Sequence, residues 1–259
     1  MMLSTVRLEA TAEPAIRSGR RADRSRPDLY LRLRDAIIST ELKPGAALSE
    51  SRVGLQHGVS RTPVREAFKR LAEEGLLVVV PQVGSFVSPI DLQAVRDSHF
   101  VRDALECRLV ELAAQRIDAA GRKALEQTLS EQRRAVTRKD VGAFFQADEA
   151  MHCCLAEIAG HPRAWLDIQS AKGQLDRLRR LSLTAPTWAR RRLQEHRAIT
   201  EAVTAGLAGE AVRAMRAHLS SVFEAIEQIG AEHAHYFSEP SALTAPPQAL
   251  PRKTSRKES

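Results

Sequence analysis

The stretch "GVSRTPVREAFKRLAEEG", residues 58–75, constrains this chain more than any other part of it. At about 100° per residue, Arg61, Arg65 and Lys69 fall at roughly 0°, 40° and 80° on a helical wheel. Val64, Ala67, Phe68 and Leu71 fall at roughly 300°, 240°, 340° and 280° by the same arithmetic. One face is basic and the adjoining face is apolar. Such a helix is held by its apolar side and offers its arginines to something anionic. Taken alone, the pattern also fits a solvated amphipathic helix, so the neighbouring segments decide.

Those neighbours form a series. "DLYLRLRDAIISTE" carries Leu29, Leu33 and Ile37 at helical spacing, and "LKPG" stops it. A short helix fits "SESRVGLQHG", with Ser49 as its N-cap. Gly58 makes the turn, Ser60 caps the opening helix, and Pro63 sits in the first turn, where a missing N–H costs little. "LLVVV", "PQVGS" and "FVSPI" then read as a β-hairpin with Pro81 and Gly84 in or near its turn. Helix, helix, turn, helix and hairpin make a winged helix-turn-helix over residues 27–90, whose third helix lies in the major groove. Arg61 and Arg65 are the expected base readers, since arginine pairs bidentately with guanine for ~1–3 kcal/mol of discrimination. Ser60 and Thr62 offer hydroxyls to phosphates, and Gln82 and Gly84 let the hairpin tip approach the backbone.

Charge agrees locally. Residues 49–70 hold five basic residues (Arg52, Arg61, Arg65, Lys69, Arg70) against two acidic ones, Glu50 and Glu66, whereas 91–232 balance at 21 against 20. The net charge of +7 comes mostly from the two ends, so it is this local excess that points to nucleic acid. Residues 1–26 are expected to be a disordered basic arm and 233–259 a disordered tail. No apolar run approaches the ~18–20 residues of a membrane span, and no secretory signal opens the chain. Three cysteines without framework spacing indicate a reducing cytoplasm.

Residues 91–232 are predicted to form an antiparallel all-helical bundle of about six helices: 91–118, 120–138, 140–159, 162–183, 187–206 and 209–232. The fold class is therefore mainly α. Asp148 and His152, at i and i+4, point the same way, while His196 and His218 sit mid-helix among apolar residues on two later helices. Three imidazoles and a carboxylate converging in a bundle suit a divalent transition ion. Each histidine taken singly is also consistent with a hydrogen-bonded core residue.

"LKPGAALSESRVGLQHGVSRTPVREAFKRLAEEGLLVVVPQVGSFV" resembles the DNA-binding domain of GntR-family bacterial transcription regulators. "VRDALE" at 101–106, then Asp-x3-His, then two helices bearing His196 and His218, resembles the FCD effector-binding domain of the FadR subfamily. Together the resemblances span residues 28–228. They imply that Asp148, His152, His196 and His218 are metal ligands, with zinc foremost and nickel, manganese or iron as alternatives. They also imply that Arg102 grips an effector carboxylate, for which a guanidinium fork is suited; taken singly, Arg102 also fits a surface ion pair with Asp103 or Glu106. Four departures stand out: His57 replaces a buried Leu, Ser51 an Arg (a contact neighbouring Arg52 is placed to take over), Leu207 a capping Asp, and His161 an Asn. Cys153 and Cys154 adjoin a ligand but are expected to pack. Arg190, Arg191 and Arg192 read as a solvated face, the alternative being that one reaches the cavity.

The predicted function is a cytoplasmic, homodimeric transcription regulator, a repressor that leaves a pseudo-palindromic operator when a small organic or sugar acid binds the metal-containing bundle. In one alternative the metal itself is the signal. In another the bundle is a metal-dependent hydrolase fused to a DNA-binding domain. No enzyme is expected, because no general base is evident for a metal-bound water.

Overall fold

A computed structural model of the chain describes residues 28–224, 226, 229 and 233–238; the expected arm at 1–26 and most of the expected tail lie outside them. Helix α1 spans Leu29–Ile38, α2 spans Glu50–His57 and α3 spans Arg61–Glu73. Asp28 caps α1 through its carboxylate, and Ser49 caps α2 by accepting from the Arg52 amide at 3.5 Å. Gly58 ends α2 at φ 66, a left-handed conformation that glycine adopts without a Cβ penalty. Ser60 occupies the N-cap position of α3, but its side chain makes no capping hydrogen bond. That corrects the cap expected there.

The apolar face of α3, Val64, Ala67, Phe68 and Leu71, is buried against Leu33 and Ile37 of α1 and Val53 of α2. Strands β2 (Leu77–Val80) and β3 (Gly84–Val87) pair antiparallel, with Leu77 opposite Val87 and Val80 opposite Gly84. A strand not expected from the sequence, β1 (Ala47–Leu48), joins the far side of β3, so the sheet order is β1-β3-β2. Two residues are too few for an alternating pattern to register.

The second unit contains α4 (Leu92–Arg116), α5 (Ala119–Arg138), α6 (Val141–Ile158), α7 (Pro162–Ala171), α8 (Gly173–Ser182), α9 (Pro186–Thr204) and α10 (Ala208–Ser220). The helix expected over 162–183 is two, broken at Lys172 (φ −103, ψ 11). The break turns the Lys172 ammonium inward, where it lies 2.5 Å from Glu149 Oε2 and 2.6 Å from Asp176 Oδ2. Burying an ammonium requires such partners. The last expected helix ends at Ser220, with helical residues resuming at Val222.

Residues 233–238 also depart from expectation. A 3₁₀ turn over Ala234–Tyr236 buries Tyr236, and Phe237 bridges in parallel to Ile90. The bundle core gathers Val110, Leu125, Met151, Leu155, Ile199 and Met215, all buried.

Candidate DNA-binding face and histidine centre

Arg52, Ser60, Arg61, Thr62, Arg65, Gln82 and Gly84 are all exposed on the first unit. Because the opposite face of α3 is packed, Arg61 and Arg65 project outward as the wheel required. Arg61 Nη2 donates to Ser51 Oγ at 3.3 Å, and Arg65 Nε pairs with Glu50 Oε2 at 2.9 Å. Both partners stand on α2, so the second helix orients the basic side chains of the third. Gln82, at φ 64, holds the β2–β3 turn in the left-handed region. His57, half-buried at the end of α2, has its pKa lowered by burial and then by Arg32.

The bundle brings together all four expected ligands. Asp148 and His152 come from α6, His196 from α9 and His218 from α10, and all four are buried. One ligand atom from each of the three imidazoles lies within 4.8 Å of the others. His196 Nε2 stands 3.4 Å from His218 Nε2 and 3.3 Å from Asp148 Oδ1.

A second layer sets the orientation of each ring. His196 donates Nδ1–H to Gln132 Oε1 at 2.7 Å, and Gln132 Nε2 donates to Ala147 O, which fixes the amide's sense. His218 Nδ1 lies 3.0 Å from Glu195 Oε2, and His152 Nδ1 lies 2.5 Å from Glu106 Oε2. With the Nδ1 atoms of His196 and His218 engaged by acceptors, their Nε2 atoms carry inward lone pairs, while His152 Nε2 faces Arg102 Nη2 at 3.5 Å. Trp165 stacks on His152 at 5.9 Å and Phe144 on His196 at 6.4 Å. Burial pushes the His196 pKa down to about 3 and that of His218 well below its ordinary value, so both rings are neutral at pH 7.

Three arginines, Arg102, Arg179 and Arg192, line the cavity beside Asp148 and His218. Arg102 does reach the cavity, but its fork is filled. Nε and Nη2 approach the two carboxylate oxygens of Glu106 at 2.5 and 3.3 Å. Burial would raise the Glu106 pKa, yet Arg102 and then His152 hold it below the carboxylate range. Arg179 pairs with Asp148 Oδ2 and stands 2.9 Å from Glu149 and 2.8 Å from Asp176. For Asp148 too, burial is outweighed, by Arg179 above all, and the pKa falls.

Arg192 leaves the solvated face expected of it. Its Nη1 alone serves Glu195, His218 O and Ser221. Arg191 pairs at the surface with Glu195 and Glu224, and Arg190 is exposed elsewhere. His161 is exposed at the α7 N-terminus, and neither it nor Leu207 makes a side-chain cap. Cys154 packs in the buried core with Cys153 against it, and burial pushes the Cys154 thiol up to about 11; Cys153 is also raised by burial, then by Glu157.

Arg179, Gln132, Glu106 and Glu195 were not found as site residues from the sequence. Helical spacing carried a signal for two of them: Glu106 follows Arg102 and Glu195 follows Arg191, each at i+4.

Two sequence relatives decide the family. An HTH-type transcriptional regulator in an unstable DNA locus of Streptomyces ambofaciens is 42% identical over 218 residues, covering 84% of this chain and 92% of that protein. The HTH-type transcriptional repressor RspR of Escherichia coli K12 is 38% identical over 211 residues, covering 82% and 92%. The chain belongs to the GntR family of bacterial regulatory proteins. The model of that family matches residues 26–87, and that of the FCD domain matches 97–221. This GntR-family chain is thus a transcriptional regulator with a helix-turn-helix unit and an FCD domain, and its family and relatives are regulators rather than enzymes. Its fold is shared with Escherichia coli McbR/YncC, at a TM-score of 0.68 and 20% identity over 77% of this chain and 95% of that one. A GntR protein from Rhodococcus sp. RHA1 gives 0.66 at 24% identity, covering 77% and 96%. Among the described residues, no helix is long and apolar enough to cross a membrane.

Proposed function

We propose that this regulator is a cytoplasmic, homodimeric repressor whose FCD domain holds a divalent metal on Asp148, His152, His196 and His218 and releases its operator in response to a small carboxylate. One observation carries the metal. The Nε2 lone pairs of His196 and His218 face each other at 3.4 Å with both Nδ1 protons committed outward. Two lone pairs in that position repel unless a cation lies between them. Two Zn–N bonds of about 2.0–2.1 Å at a tetrahedral angle span about 3.3–3.4 Å. Asp148 Oδ1, at 3.3 Å from His196 Nε2, continues the same spacing. Four protein ligands fill a tetrahedral site, so ligand oxygens would reach the ion where it accepts five or six ligands.

The repressor role follows the relative named RspR. Dimerisation follows from the few base pairs one recognition helix reads. Phe100 on α4 and Leu166 on α7, two helices that pack together, remain 74% and 58% exposed and suit a subunit interface.

A second reading, in which the metal itself is the signal, is favoured by the cavity. About 20 Å³ accommodates a water or an ion, and Glu106 occupies the Arg102 fork. An organic acid enters only if these groups move.

Elemental analysis of wild type, His196→Ala and His218→Ala tests the metal. Both variants should lose it while keeping operator binding, and full occupancy in both would make these ordinary core histidines. Operator release by citrate, lactate and gluconate, set against release by metal added to chelated protein, separates the two signals.

A further inference from the structure

The turn between α5 and α6, at Lys139 and Asp140, and the start of α9 enclose a cavity of about 310 Å³. This is some fifteen times the 20 Å³ beside the histidines and falls in the range of small-molecule sites. Phe144, Leu183 and Ala135 form its buried floor, with half-buried Val136 and Val141 beside them. Lys139 and Arg190 stand exposed on its rim, and neither side chain has a hydrogen bond or ion pair among the described residues.

The other polar groups are committed. Asp140, the acid of the lining, caps α6 by accepting from the Ala143 amide at 2.8 Å. Thr137 and Thr184 donate their hydroxyls to the carbonyls of Arg133 and Leu181, at 3.0 and 2.7 Å. The two cations are therefore the free donors at the mouth. Lys139 is moreover held at φ 56, ψ 31, a left-handed conformation that disfavours any side chain. It is the C-cap of α5, where its backbone N–H serves the carbonyls of Ala135 and Val136.

From this geometry we infer a second ligand site, separate from the histidine centre and independent of whether that centre binds metal. It takes a small organic anion with an apolar body, an aryl or branched-chain carboxylate. Lys139 and Arg190 hold the carboxylate, and the hydrocarbon part lies on Phe144 and Leu183. The floor is shared with the other centre, since Leu183 lines both cavities and Phe144 stacks on His196. An occupant therefore presses on residues that set the histidine geometry.

Calorimetric titration of phenylacetate into the full chain tests this. One site per chain is expected. Arg190→Ala and Lys139→Gly should each weaken binding about 10-fold or more, the loss of one charge-assisted hydrogen bond. Acetate, which lacks the apolar body, should bind at least as much more weakly. Ala189→Trp should fill the cavity and abolish binding. Lys139→Gly also relieves the left-handed strain, so it should melt no lower than wild type while binding less. Absence of binding at millimolar phenylacetate, or equal affinity in Arg190→Ala, Lys139→Gly and wild type, overturns the site.

Discussion

Gln174 donates its side-chain amide to the carbonyl oxygen of Gly75 at 2.6 Å, tying the FCD bundle to the base of the wing. On the same ten-residue helix, α8, Arg177 reaches Ser88 Oγ and Pro89 O at 3.3 Å each, and Arg179 pairs with Asp148 in the histidine centre. Gly173 lies against Leu76, where an added Cβ would sit 3.5 Å from the leucine side chain. One short helix thus touches both the candidate metal ligand and the DNA-binding unit. Contact continuity is not yet coupling, and substitutions on α8 measure the difference.

Arg177 is fully buried, with Nε and Nη2 unpartnered, and burial pushes its pKa down to about 10. Arg177→Met keeps most of the volume and removes an uncompensated charge, so calorimetric melting should stay level or rise. Gln174→Ala should cost about 0.5–1.5 kcal/mol, the usual worth of one hydrogen bond. Both should bind operator yet respond less to ligand or metal. An undiminished response in both removes α8 as the connection.

On the DNA face, Arg61→Ala and Arg65→Ala should each lose ~1–3 kcal/mol of specific operator affinity at fixed salt. Their melting temperatures should hold, since both side chains are exposed. Glu50→Gln releases Arg65 from its 2.9 Å pair and removes a negative charge near the phosphates, so it should tighten binding. Fluorescence anisotropy with operator duplex decides; weaker binding by Glu50→Gln would put α2 rather than α3 against the bases.

Gln132→Leu removes the acceptor that holds His196 Nδ1. Second-layer losses of this kind lower metal affinity about 10–100-fold. Competition with a chromophoric chelator measures it, and wild-type affinity in the variant would show that the ring orientation is set by packing alone.

Acidification should destabilise the metal-free chain from near pH 6.5 downward. His196 and His218 have folded pKa values below the ordinary 6.5, at about 3 for His196. Between those limits the unfolded chain binds more protons, so stability falls as pH falls, by up to about 2.7 kcal/mol per pH unit for two such sites. Below the ordinary carboxylate range, Asp148 and Glu106 add to the loss, because their folded pKa values are lowered too. Thermal melts in chelator should show a lower midpoint at pH 5 than at pH 7. A flat profile would mean that the rings stay accessible to protons when folded.

Much of this molecule was legible because its signals are local. The glycine turn before α3, the two faces of α3 and the hairpin depend on residues a few positions apart, and helical period alone aims Arg61, Arg65, Asp148 and His152. Placing His196 and His218 mid-helix among apolar neighbours was enough to send them inward. The partners of those residues are another matter. Gln132 meets His196 across 64 positions and Arg179 meets Asp148 across 31, and no periodicity within one helix says which face of another it will meet. Packing alone decided that Arg192 would turn inward while Arg191 stayed outside, and that the chain would break at Lys172 to bury its ammonium. By itself the sequence determined which helices form and which of their faces are apolar. The docking of those faces, a collective result of core volume and buried charge pairing, decided which side chains share the site.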